Sequence, residues 1–367
     1  MPSPVIGEEL GLYTNIGGRI DCSDNCATRE LVFGASGTEC RIAAFGRVGE
    51  VRTAVTMANK FFKTVIRDLG TDGNVGATQA THYYRTKIPR LGHLSELHFT
   101  IYNPGKGSNT FYVNEIRISG SDPAPLKASG IIIQKLAKFV YGREQGTSTA
   151  AANAQMLDKI TPHTAQTVGA NACYFNYRVC FGRFPGDTQY ALNLAKFAND
   201  PVFEADIVIA GADLDAAPQM SLNAVFYTPD APLAKYVRTI EIINEATGTG
   251  AKNFDLEQVG GVAYEGVMAT FTVVTTADAG KHGIYADDGA TPVCVGTFKE
   301  TKVLNGSDFS FAFAEIEAIG TADTYAYYSL NKTPIEAMDY MNLVFHVERG
   351  ATTTLTNISA RQYRNNP

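Results

Sequence analysis

The chain has 367 residues, a formal net charge of -6, and 45% hydrophobic against 19% charged residues. Its length exceeds one ordinary domain and its apolar share is enough for a large core. The acidic balance excludes a chain-wide cationic field for gathering nucleic acid. No apolar run approaches the roughly 20 residues of a membrane-spanning helix, and 18 Tyr and 20 Phe set in alternating segments exclude global disorder.

In chain order, the start MPSPVIGEELG lacks the basic residues and apolar run of a signal peptide. Residues 1–27, rich in Gly, Asn and Asp, predict an irregular arm. Cys22 and Cys26 have no second pair at metal-site spacing. With Cys40, Cys173, Cys180 and Cys294 they read as thiols of a reducing compartment, not a disulfide scaffold. LVFGA and CRIAAFGRV predict strands, while FFKTVIRDLG suits a strand or a short helix.

The run HYYRTKIPRLGHLSELHFTIYNP, residues 82–104, carries His82, His93, His98 and Glu96. A metalloprotease would need H-E-x-x-H, which is absent. In a strand, Leu94, Glu96, His98 and Thr100 share one side and Ser95, Leu97, Phe99 and Ile101 the other. The second side suits a core. The first reads as a polar strand edge facing solvent or a partner, with charges guarding against stray pairing.

FYVNEIRISGSD predicts a further strand. PLKASGIIIQKLAKFVYG predicts a helix near 126–141 with Ile132, Leu136 and Phe139 or Val140 on one face, and STAAANAQMLDKI predicts one near 149–160. From residue 173 strand patterns resume: CYFNYRVCFGRF, QYALNLAKF, PVFEADIVIAGAD, SLNAVFYTPD, YVRTIEIIN, GVMATFTVV, DFSFAFAEIEAI, TYAYYSL, MNLVFHV and TTLTNISARQY. Loosely similar strand-turn-strand runs, one before residue 120 and two after 220, place a boundary near 162–176. Regular strand-helix-strand alternation is missing, so two β-sandwiches are expected.

The chemical inventory is thin. Asp213 with Asp215, and Asp287 with Asp288, read as turns lacking a calcium-loop pattern. There is no G-x-S-x-G elbow, and GTGAKN lacks the full phosphate-loop motif. Cys173 and Cys180 alternate with aromatics and read as packing. Tyr325, Tyr327 and Tyr328 suit packing, an assembly contact or a carbohydrate-recognition face.

A family resemblance sharpens this reading. FFKTVIRDLGTDGNVGATQATHYYRTKIPRLGHLSELHFTIYNP resembles the opening of the first barrel in double jelly-roll major capsid proteins of tailless icosahedral DNA viruses. Arg90-Leu91-Gly92-His93-Leu94 stands where that family has a basic-polar GDL turn, with His in place of Asp, and Pro104 closes the strand. RVCFGRFPGDTQYALNLAKFANDPVFEADIVIAG resembles the start of the second barrel through Phe184-Pro185 and Leu192-Asn193-Leu194, without the tryptophan common in relatives. LVFHVERGATTTLTNISARQY looks like its closing strand pair.

The resemblance implies an all-β chain of two side-by-side eight-stranded jelly rolls with short helical insertions: an arm at 1–27, a first roll at 28–170 and a second at 171–367. It implies a structural protein and not an enzyme, without cofactor, catalytic or metal residues. Copies would trimerise into pseudo-hexagonal capsomers of an icosahedral shell. The alternatives are a spike or minor capsid component, then a carbohydrate-binding β-sandwich protein. Implied partners are neighbouring capsomers, penton or minor capsid proteins and often an inner viral membrane, with no sequence-specific nucleic-acid recognition. The expected location is the virion capsid after synthesis in host cytoplasm. Arg85, Lys87, Arg90, Glu96 and His98 are the candidate assembly contacts.

Overall fold

The computed structural model describes residues 30–35, 38–45, 52–54, 60–66, 75–103, 109–141, 147–149, 166–168, 173–244, 250–271, 280–309, 325–330, 334–348 and 355–367. The expected arm at 1–27, Pro104 and the helix expected near 149–160 lie outside these residues, apart from Thr149, which pairs with Cys173 in a strand. The chain divides into units at 1–60 and 61–367. In the first, Glu30–Ala35, Thr38–Phe45 and Arg52–Ala54 form an antiparallel sheet in that order.

The second unit is built from sixteen principal strands. The first eight are β1 (Lys60–Ile66), β2 (Ala80–Lys87), β3 (His93–Asn103), β4 (Asn109–Ser119), β5 (Leu126–Ala128), β6 (Cys173–Cys180), β7 (Val202–Ala210) and β8 (Gln219–Thr228). They form two sheets, ordered β1-β8-β3-β6 and β2-β7-β4-β5. The next eight are β9 (Lys235–Asn244), β10 (Lys252–Asp255), β11 (Ala263–Phe271), β12 (Lys281–Ala286), β13 (Thr291–Thr297), β14 (Tyr325–Ser329), β15 (Leu343–Val347) and β16 (Leu355–Asn365). Their sheets run β9-β16-β11-β14 and β10-β15-β12-β13, the same order shifted by eight. Each half is therefore an eight-stranded jelly roll. Helices α1 (Gly130–Tyr141) and α2 (Phe298–Phe309) sit at equivalent places, between the fifth and sixth strands of each roll.

This topology moves the expected boundary. Residues 173–228 supply β6, β7 and β8, and these hydrogen-bond to β3, β4 and β2. The run that resembles the opening of a second barrel thus belongs to the first roll, and the rolls meet between Thr228 and Lys235. Strand composition alone could not reveal this, because the break is a six-residue link between two ordinary strands.

Alternation explains most of the core. Phe99 on β3 lies 5.5 Å from Tyr84, 4.9 Å from Phe203 and 6.1 Å from Tyr177, ring centre to ring centre, so one aromatic ties β2, β6 and β7 together. Leu94 was expected on the polar side of β3, yet it is fully buried. The reason is a bulge: Val225 pairs with Glu96 and Phe226 with Leu94, leaving Ser95 unmatched. The extra residue turns Leu94 inward and leaves Leu97, Phe99 and Ile101 in phase.

Two further segments differ from the sequence expectation. QYALNLAKF yields an isolated bridge from Tyr190 to Lys235, the short pairing Leu192–Asn193 and a 3-10 turn at Leu194–Lys196. α2 was not predicted, although its capping box is legible: Thr297 N–H donates to Glu300 Oε2 at 2.8 Å and Glu300 N–H to Thr297 Oγ1 at 3.2 Å.

The rolls are joined by a shared sheet. β5 and β9 pair in parallel, Leu126 with Thr239 and Lys127 with Ile240, which fuses one sheet of each roll into a single eight-strand path from β2 to β14. α1 fills the angle beside this junction: Phe139 stacks on Tyr327 at 4.7 Å and meets Tyr325 edge-on at 6.1 Å. Glycine is required at two contacts here. A Cβ on Gly130 would lie 2.8 Å from the Tyr177 ring, and one on Gly266 would lie 2.4 Å from the Tyr327 ring.

A buried ion pair completes the seam. Arg361 on β16 and Glu265 on β11 are 2% and 4% exposed and meet at 2.8 Å. The other guanidinium nitrogens cross to the first roll, Nη2 donating to Gly182 O at 2.8 Å and Nη1 to Cys180 O at 3.5 Å. Burial works against the Arg361 charge, but Glu265 outweighs it and holds the guanidinium cationic. Arg238 Nε donates to Ala124 O at 2.8 Å, and Glu241 accepts the Ser129 N–H at 2.7 Å, so both sides of the β5–β9 pairing are clamped. Removing one member of a buried pair leaves an uncompensated charge, so Glu265→Ala is expected to cost about 3–5 kcal/mol in urea unfolding. Glu265→Leu with Arg361→Met should recover a large part of that loss.

Candidate assembly surface

The outer face of β2, β7, β4 and β5 carries a charge ladder set by strand register. Glu204 on β7 lies opposite Arg85 on β2 and Arg117 on β4, and Arg117 lies opposite Lys127 on β5. Arg85 Nη2 meets Glu204 Oε1 at 2.6 Å, and Arg117 pairs with both Glu204 and Glu115, the latter at 3.0 Å. Lys127 reaches Glu115 at 3.9 Å. Burial pushes the Glu204 carboxyl up, but Arg117 and Arg85 outweigh it and hold the group below the usual glutamate range.

Lys87 and Arg90 stand at the end of the same strand and in the turn after it. Lys87 Nζ pairs with Asp200 at 3.1 Å, while Arg90 Nη2 donates to Asn199 O at 2.7 Å and lies 3.5 Å from Asp200. Asp200 is exposed, and Lys87 beside it keeps its carboxyl below the usual range. All three basic candidates are therefore at the surface on one side of the first roll, each with an acidic neighbour.

Glu96 and His98 lie elsewhere. They project from β3, which has β8 on one side and β6 on the other, so the expected strand edge is an interior strand. Glu96 is 6% exposed. Its Oε2 accepts from Tyr141 at 3.0 Å and Arg178 Nη2 at 3.1 Å, and lies 3.0 Å from His98 Nε2. Arg178 also covers the Tyr141 ring at 3.9 Å. Burial opposes the Glu96 charge, but His98, Tyr141 and Arg178 together hold its carboxyl below the usual range. This is an internal network that anchors the end of α1.

The remaining candidates are structural. His82 bonds within its own turn, to Thr78 O at 2.8 Å and the Gly76 N–H at 3.2 Å. His93 Nε2 accepts the Leu233 N–H at 3.2 Å, fastening the link between the rolls, and burial lowers its pKa. Among the described residues no group of three or more metal-ligating side chains occurs. Asp213 accepts the Gln79 N–H, and Asp287 sits in a turn with φ 53°. Lys252 and Asn253 of GTGAKN begin β10. Tyr325, Tyr327 and Tyr328 are all buried, which removes the carbohydrate-facing reading. Cys180 is buried and its thiol is pushed up to about 12 by desolvation.

Sequence reasoning missed Glu204, Arg117 and Arg178. The alternation of FEADIV and NEIRIS carries the first two outward, but their pairing depends on register across 87 residues.

No family model matches the chain, and no curated protein matches it. Solved structures do. A crystal structure titled STIV MCP aligns at 11% identity over 83% of this chain and 97% of that one, with TM-score 0.54. The major capsid protein P2 from bacteriophage PM2 aligns at 10% identity over 83% and 98%, with TM-score 0.53. The PBCV-1 virus capsid aligns at 14% identity over 83% and 94%, with TM-score 0.52. The chain has the double jelly-roll fold of these capsid proteins.

The depressed carboxyls carry a pH consequence. Glu96, Glu204 and Asp187, the last paired with Arg183 at 2.8 Å, have pKa values in the folded chain below their ordinary values. Their stabilisation is complete above those values and is lost as pH falls through the lower folded ones. Urea midpoints should therefore drop from about pH 5 toward about pH 3, and Glu204→Gln should lessen that drop.

Proposed function

We propose that this chain is a structural capsid protein whose copies trimerise into pseudo-hexagonal capsomers of an icosahedral shell. One observation carries the reading: two jelly rolls of identical strand order, fused edge to edge by the β5–β9 pairing. A rigid pair of like lobes lets three copies present six similar lobes around one axis, which fills a hexagonal position with a trimer. The likeness to solved capsid proteins supports the same assignment.

The work of such a protein is done by its surfaces, and no covalent step is needed. A stable contact between copies would bury on the order of 1,200–2,000 Å². Arg85, Lys87 and Arg90 belong to that role in this reading, because they are exposed together on one side of the first roll. Glu96 and His98 serve it indirectly, by holding α1 in the seam. Neighbouring capsomers, penton or minor capsid proteins and an inner membrane are the further partners, and the location is the virion shell.

Electron microscopy of the purified chain tests the proposal. Three-fold particles with six-lobed outlines, or closed shells, are expected; a monomer at every concentration overturns it. Replacing Lys87 and Arg90 with Glu should leave the unfolding midpoint nearly unchanged, since exposed ion pairs contribute little. The same change should reduce the trimer fraction in sedimentation.

A further inference from the structure

The ladder on β2, β7 and β4 leaves one charge over. Glu204 is held by Arg85 and Arg117, and Glu115 by Arg117 and Lys127. Asp206, two residues along β7 on the same outer face, makes no hydrogen bond or ion pair among the described residues. Register places it directly opposite Glu115 on β4 and Tyr83 on β2. Like charges directly opposite in a sheet destabilise it. Burial pushes the Asp206 carboxyl up; Arg117 pulls against this, while Glu115 and Glu204 add to it. Tyr83 beside it is 56% exposed.

We propose that the outer face of β2, β7 and β4 around Asp206 is a contact between copies of this chain. It receives a lysine or arginine side chain of a neighbouring copy between the Asp206 carboxylate and the Tyr83 ring. This rests on the assembly reading above and names the face and the chemistry of its partner. A carboxylate that is unfavourably placed in the free subunit gains a counter-charge, and the aromatic plane beside it gives a cation a second favourable surface. The chain also supplies the complement. Lys63 on β1 and Lys196 in the turn after Asn193 are exposed and have no ion pair among the described residues. Both lie outside the β2-β7-β4-β5 sheet, as a heterologous, ring-closing contact requires.

The test uses the full chain, with sedimentation to follow assembly and thermal unfolding to follow the subunit. Asp206→Asn removes the repulsion with Glu115, so the subunit should unfold at the same or a higher temperature. Its half-assembly concentration should rise by about tenfold, the scale of one lost charge-assisted contact. Tyr83→Ser should weaken assembly in the same direction. Asp206→Lys should abolish assembly, and Lys63→Glu or Lys196→Glu in that background should restore it and identify the partner. The contact is overturned if the wild type assembles and both Asp206→Asn and Tyr83→Ser assemble at its concentration. It is also overturned if Asp206→Asn loses subunit stability in step with assembly, which would make the residue internal scaffolding. A wild-type chain that never associates overturns the assembly reading itself.

Discussion

Everything in the second unit depends on the parallel pairing of β5 with β9 and the buried Arg361–Glu265 pair beside it. Three residues of β5 carry the continuity of a sheet that runs through both rolls. So short a strand gains little from its own hydrogen bonds, and the clamps around it supply the rest. Arg238 fixes the backbone before β5, and Glu241 takes the N–H after it. Arg361 reaches across to the carbonyl that ends β6 and to one just after it. A buried ion pair is costly to desolvate, but here the Arg361 guanidinium also satisfies main-chain carbonyls, and losing it would strand several polar atoms at once.

The same seam explains why so many polar side chains are buried. Glu96, Arg178 and Tyr141 join β3, β6 and the end of α1. His93 and Asn366 hold the link at Leu233, His93 accepting its N–H and Asn366 donating to its carbonyl. Tyr325 and Tyr327 turn one face of β14 toward α1, while Ala326 and Tyr328 face the second core. β11 is buried along its whole length because both of its faces are covered.

The sequence was readable where the physics is local. Alternation located β3, β4, β7, β8, β9, β11 and β16, and the helical spacing of Ile132, Leu136 and Phe139 located α1. It failed where the decisive contact is remote. Arg85 meets Glu204 across 119 residues, and nothing near Arg85 announces that partner. β5 was absorbed into the helix pattern because three residues carry no period of their own. β10 is only four residues long, and β12 and β13 are short and broken by Gly or Pro. Glu96 and His98 were placed on the polar side of their strand, but polarity could not say whether that side meets water or another part of the chain.

One end of the fused sheet is capped by a side chain. At β14 the Asn305 side chain of α2 accepts the Tyr327 N–H and donates to its carbonyl, occupying the groups that an added strand would need. At the other end the path stops at β2. Even if two copies were to join through β2, the enlarged ribbon would terminate in a blocked border on each side. Runaway fibre growth along this sheet is therefore closed off.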